Sequence, residues 1–151
     1  MKELVKVQDL TKWFPIRGGF LSSLFGGREQ FLKAVDGVSF DIADGEIFGL
    51  VGESGCGKTT TGRLLLRLIE PTSGKVVFDD KDLFELDKNT MKSLRRRMQI
   101  IFQDPYESLN PRKMVFDVVA EPIELNKAAS DEPAKEKMVL DALESVHLTP
   151  L

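Results

Sequence analysis

The chain has 151 residues, 42% apolar and 30% charged, and 21 Lys plus Arg against 24 Asp plus Glu give a net charge of −3. That length suits one domain with a sizeable core, and the composition excludes disorder, a collagen-like repeat and a disulfide scaffold. The acidic balance argues against nucleic acid as a partner, the single Cys56 excludes an internal disulfide and fits a reducing compartment, and no apolar run approaches the ~20 residues that span a bilayer.

The N-terminus, Met1-Lys2-Glu3-Leu4-Val5-Lys6, alternates charge and apolarity where a signal peptide needs an unbroken apolar stretch. Leu4 to Val7 reads as a short strand. Between Phe14 and Phe31, the Gly18-Gly19 and Gly26-Gly27 pairs flank a small apolar patch, the pattern of a loop inserted between paired strands. Val35 to Ile42 alternates before the Asp44-Gly45 turn, as a half-buried strand does. Ile47-Phe48-Gly49-Leu50-Val51 is nearly continuously apolar, and this predicts a strand buried on both faces of a parallel sheet. From Lys58 to Ile69 the leucines and arginines fall at helical spacing, and Pro71-Thr72-Ser73-Gly74 closes the segment. Lys75 to Phe78 reads as a strand, Met91 to Arg97 as a short helix, and Gln99 to Phe102 as another strand ending at Gln103. Beyond Pro111 the pattern is helical: first Val115, Val118, Val119 and Ile123, then Ala134, Met138, Ala142 and Val146 after Pro133 at a first turn.

The strongest chemical signal is Gly52-Glu53-Ser54-Gly55-Cys56-Gly57-Lys58-Thr59, which fits G-x-x-x-x-G-K-[ST] and lies between an apolar strand pattern and an amphipathic helix pattern. Backbone N–H groups from about Gly55 to Thr60 converge on phosphate oxygens only if the loop curls tightly with no Cβ in the way. The start of the following helix adds its positive dipole end. Lys58 is then the point charge for the β- and γ-phosphates, and the Thr59 hydroxyl the Mg²⁺ ligand. Cys56 contributes backbone; its thiol has no second cysteine to work with.

At Ile101-Phe102-Gln103-Asp104-Pro105-Tyr106-Glu107-Ser108-Leu109-Asn110-Pro111-Arg112, following such a loop, the chain resembles the ATP-binding subunits of ABC transporters, and more narrowly the oligopeptide/dipeptide importer ATPases. Val35-Asp36-Gly37-Val38-Ser39-Phe40, Glu70-Pro71-Thr72-Ser73-Gly74, the Gly-rich insertion and Ala120-Glu121-Pro122 carry the same likeness, which covers essentially the whole chain. Glutathione and nickel importers share these features.

The resemblance implies an α/β fold: a P-loop NTPase core with an N-terminal antiparallel β subdomain up to the Q-loop, residues 1–106, then the beginning of the α-helical subdomain, residues 107–151. It implies ATP and Mg²⁺ as cofactors, bound by Gly52, Ser54, Gly55, Cys56, Gly57, Lys58, Thr59 and Thr60. It makes Gln103, 45 residues after Lys58, the Q-loop glutamine that touches Mg²⁺ or the attacking water. It places an aromatic on adenine, with Trp13 and Phe14 both eligible and Phe14 favoured by its position after Thr11-Lys12. Lys58 and Gln103 are the catalytic candidates, and Thr59 and Gln103 the metal candidates.

The implied partners are membrane permease subunits, a second ATP-binding subunit and, indirectly, a substrate-binding protein, at the cytoplasmic face of the membrane. The Leu-Ser-Gly-Gly-Gln signature, the Walker B strand and the switch histidine of a complete subunit are not in these 151 residues. Lys75-Val76-Val77-Phe78-Asp79-Asp80 imitates a Walker B strand but starts 17 residues after Lys58, where the family has a β-hairpin. His147 matches no switch position and reads as a surface or capping residue, and Lys92, Arg95, Arg96 and Arg97 as a solvated helix face. The expectation is the N-terminal half of a transporter ATPase, with two alternatives: a nucleotide-binding fragment without turnover, and an ABC-type ATPase not coupled to transport.

Overall fold

The computed structural model describes residues 2–16, 30–103 and 109–148. Contacts divide the chain into two units, residues 1–99 and residues 100–151.

The first unit is built on a four-stranded antiparallel sheet of order β2-β1-β3-β4, with β1 Glu3–Ile16, β2 Gln30–Ala43, β3 Ser73–Phe78 and β4 Lys81–Asp82. The two long strands extend well beyond the segments that alternation marks, because register shifts along β1 interrupt a strict period of two while the ladder continues. Ile16 pairs with Gln30, so the Gly-rich insertion joins two partnered strands; its residues 17–29 lie outside the described residues.

β3 and β4 form a hairpin, with Phe78 opposite Lys81 and Asp79 and Asp80 at φ 47° and 63°. Two positive φ values are what a two-residue type I′ turn requires, and aspartate tolerates them. The Walker B look-alike is therefore a hairpin turn, and Asp79 is spent on ion pairs to Lys2 and Arg97, each at 2.6 Å.

Val7, Leu10, Val35, Val76 and Phe78 from the sheet pack with Leu83, with Leu64 of α1 (Lys58–Leu65) and with Met91 and Leu94 of α2 (Lys88–Leu94), forming the core. Burial of each such side chain contributes about 1.5–3 kcal/mol. Helix α2 starts at Asp87, whose carboxylate accepts from the amides of Asn89 and Thr90, and it runs into a 3₁₀ turn at Arg95–Arg97.

α1 ends earlier than its leucine pattern suggests. Arg67 adopts φ 47°, its N–H bonds to Leu64 O and that of Leu68 to Arg63 O. This is a Schellman stop with arginine where glycine is usual, and it is held because the Arg67 guanidinium donates to Leu83 O at 2.7 Å and Leu86 O at 2.8 Å.

The two further strands expected from sequence are absent as strands. Residues 47–51 lie in no sheet, with Ile47 99% and Val51 93% exposed, and residues 99–102 likewise, with Ile101 94% exposed. A strand of the parallel, two-face-buried kind forms only when neighbours saturate its backbone on both edges, and among the described residues none pairs with either run. Phe48 stacks its ring on Phe40 of β2 at 4.8 Å.

The second unit contains α3 (Val115–Leu125) and α4 (Glu132–Ser145). Asp131 caps α4 by accepting from the amide of Ala134, with proline in the first turn as expected. His147, exposed at φ 62°, closes the same helix, its N–H bonded to Glu144 O and that of Leu148 to Leu143 O. It is the capping residue of the sequence reading.

Candidate functional site

The loop of residues 52–57 enters α1 through two left-handed glycines, Gly55 at φ 81° and Gly57 at φ 95°. Gly57 is the N-terminal cap of α1 and has no side chain to bond the first turn, which also contains no acid. The first bond of the helix runs from the Thr61 N–H to Gly57 O at 2.8 Å, and the Thr61 hydroxyl reinforces it at 3.1 Å. The amides of Lys58, Thr59 and Thr60 therefore stand at the helix start as donors without intrahelical acceptors, at the positive end of the dipole.

The sheet fixes the loop from behind. A β-carbon at Gly57 would meet Ala34 O at 2.1 Å, with the Val35 side chain next to it. One at Gly52 would meet Cys56 Sγ at 2.6 Å, so the two ends of the loop approach each other across a glycine. Lys58 Nζ donates to Gly52 O and Glu53 O, both at 2.7 Å, and lies 3.5 Å from Cys56 Sγ. Its ammonium is thus held inside the curl of the loop. Cys56 and Ser54 are exposed on the loop, Thr59 is exposed, and Thr60 is half-buried. An anion suits this cradle: backbone donors, a fixed ammonium and close-approach glycines converge, and no carboxylate caps the helix start.

Of the two aromatic candidates, Phe14 shares a face of β1 with Lys12, whose Nζ lies 5.0 Å from the Phe14 ring centre and donates to Glu70 O beyond α1 at 2.7 Å. Lys12 in turn pairs with Val35, the residue against Gly57. Trp13 points to the other face. Its indole N–H donates to Asp36 at 2.9 Å, Lys33 stands 4.5 Å over its ring and Phe31 packs at 6.3 Å. Lys33, and then the indole, hold the Asp36 carboxyl below its usual range. Phe14 is 38% exposed, while Trp13 is half-buried and already engaged.

Gln103 is exposed and belongs to the second unit, whereas the loop belongs to the first; residues 104–108 of the same motif lie outside the described residues. Among the described residues, no cluster of three or more His, Cys, Asp or Glu forms a metal centre. No described helix is long and apolar enough to cross a membrane. Sequence reasoning missed the Lys12–Glu70 tie and the opposed faces of Trp13 and Phe14; strand alternation was the available signal for the latter.

A family model described as ABC transporter matches residues 35–151, and the chain belongs to that family. It is 44% identical over 147 residues to the probable peptide ABC transporter ATP-binding protein y4tS of Sinorhizobium fredii, covering 97% of this chain and 40% of that one. It is 42% identical over 148 residues to the oligopeptide transport ATP-binding protein AppF of Bacillus subtilis, covering 97% of this chain and 44% of the relative. Among solved structures it is similar to the dimeric ATP-binding cassette MJ0796 in a post-hydrolysis state bound to ADP and Pi, with TM-score 0.72 and 26% identity over 93% of this chain and 56% of that one. The chain spans less than half the length of the curated relatives it matches.

Proposed function

We propose that this chain binds Mg-ATP through residues 52–60 and forms the N-terminal portion of an ATP-binding subunit that energises import of peptides of the oligopeptide/dipeptide class. The observation that carries the reading is the pairing of an uncapped α1 start with the Lys58 ammonium held by Gly52 O and Glu53 O. Phosphate oxygens would accept from the amides of Lys58, Thr59 and Thr60, and Lys58 would turn from the loop carbonyls to the β- and γ-phosphates. The Thr59 hydroxyl, exposed on the first turn, would hold Mg²⁺, which when bound neutralises charge on those phosphates. Phe14 is favoured as the adenine platform because its face carries Lys12 and leads to the loop, whereas the Trp13 indole is bonded to Asp36.

Gln103 would report the state of the γ-phosphate to the helical region. In this reading residues 1–106 carry the β subdomain and P-loop core, and residues 107–151 begin the α-helical subdomain. The names of the relatives support peptide as cargo, and with it permease subunits, a second ATP-binding subunit and a position at the cytoplasmic face of the membrane.

Calorimetric titration with Mg-ATP tests the reading. Lys58→Ala should weaken binding by roughly 10- to 100-fold, the worth of a charged hydrogen-bond donor, and Lys127→Ala, exposed in the turn after α3, should leave it unchanged. Equal affinities for the two variants would overturn the proposal.

A further inference from the structure

The turn after α1 and the face of α2 enclose a groove of about 540 Å³ lined by Arg67, Glu70, Lys88, Met91, Lys92 and Arg95, all within the first unit. Lys88, Lys92 and Arg95 recur at i, i+4 and i+7, which brings three cations onto one side of α2 and its 3₁₀ extension. The wall opposite is rigid, because the Arg67 guanidinium is committed to Leu83 O, Leu86 O and the Glu70 carboxylate. Met91, only 4% exposed, supplies an apolar floor.

The charge in this groove is not neutralised internally. Elsewhere Lys2, Lys6, Lys33, Lys75, Lys113, Lys135 and Lys137 each stand within 4 Å of a carboxylate, while Lys12 and Lys58 bond backbone carbonyls and Lys81 and Lys127 do not line this groove. Lys88 and Lys92 have no ion-pair partner among the described residues, and Arg95 spends one donor on Arg67 O at 3.1 Å. Glu70, the one acid on the rim, is taken by Arg67 at 3.1 Å. Three uncompensated cations in a concave site, on a chain of net charge −3, match a compact anion with more than one negative charge.

We infer that this groove binds a phosphate-bearing polyanion, separate from the loop at residues 52–60. Two lysine point charges and an arginine fork suit phosphate oxygens spread around a small centre, whereas a single carboxylate would leave two of the three cations unmet. The phosphate could belong to a free polyphosphate or to an anionic lipid headgroup, and the chemistry is shared.

The experiment uses the whole chain carrying Lys58→Ala, so that the nucleotide loop contributes little. Tripolyphosphate is titrated calorimetrically, and flotation is measured with vesicles of phosphatidylcholine alone or mixed with phosphatidylglycerol. The expected result is binding in one arm that weakens about tenfold or more with K88Q/K92Q and falls as salt is raised. Binding of tripolyphosphate assigns a free anion, and binding only to phosphatidylglycerol vesicles assigns a headgroup. Both lysines are exposed, so coincident thermal melts are expected of the parent and the K88Q/K92Q variant. Single variants K88Q and K92Q serve if the double variant fails to fold. Binding in neither arm, or binding indifferent to these substitutions, overturns the inference while leaving the nucleotide reading untouched.

Discussion

The carbonyl oxygen of Ala34 on β2 stands 2.1 Å from where a β-carbon at Gly57 would lie. The antiparallel sheet thereby fixes the cap residue of α1, and with it the direction in which the first helical amides point. A glycine there serves both backbone conformation and contact, since φ is 95°.

Gly57→Ala is expected to lower stability by at least about 1–3 kcal/mol from backbone strain alone, with the clash added, and to abolish nucleotide binding. Gly62→Ala is the contrast. It lies inside α1 with nothing within 4 Å of a built β-carbon, so it should stabilise by about 0.5–1 kcal/mol. Denaturant melts of the two variants check the pair.

Phe14→Ala should weaken Mg-ATP binding by about 2- to 10-fold, the worth of one aromatic stack, while Trp13→Phe should leave affinity nearly unchanged. Trp13 lies next to Phe14 in β1 and is the chain's only tryptophan, so its emission should still shift when nucleotide binds. Fluorescence titration of wild type and Phe14→Ala reads the emission shift and the Phe14 effect, and calorimetry reads Trp13→Phe, which has no tryptophan.

The Arg97 and Lys2 hydrogen bonds lower the Asp79 carboxyl from its ordinary 3.8 to about 2. A depressed carboxylate stabilises the fold above its unfolded-state value and loses that contribution as pH falls through the folded one. Thermal midpoints of wild type should therefore fall between about pH 4 and about pH 2 more steeply than those of Asp79→Asn, and added salt should narrow the difference. Parallel acid limbs for the two proteins would show that the pairs contribute nothing.

The 151-residue chain should bind nucleotide yet release phosphate far more slowly than about 1 s⁻¹, since phosphoryl transfer depends on positioning groups beyond the loop. In a full-length subunit carrying this sequence, Gln103→Ala should lower turnover while ATP affinity stays within a few fold. Phosphate-release assays, with Lys58→Ala as the contamination control, measure both.

By itself the sequence determined the glycine-rich turn at residues 52–57 and the helix that follows it, while the hairpin in place of a Walker B strand followed from the family resemblance. The first two depend on local chemistry: glycines at left-handed positions and a helical apolar stripe. Asp131 and Pro133 marked the start of α4 for the same reason.

Tertiary structure alone decided what depends on distant neighbours. Arg67 stops α1 early because carbonyls of Leu83 and Leu86 hold its guanidinium, and no pattern within 58–69 encodes that. Strand alternation already puts Phe14 and Trp13 on opposite faces; the pairing of β1 with β2, and Lys12 reaching Glu70, decide which of the two faces leads toward the loop. Residues 47–51 and 99–102 carry the composition of buried strands yet remain exposed, because apolar side chains make a strand possible and only hydrogen-bonding neighbours make one form.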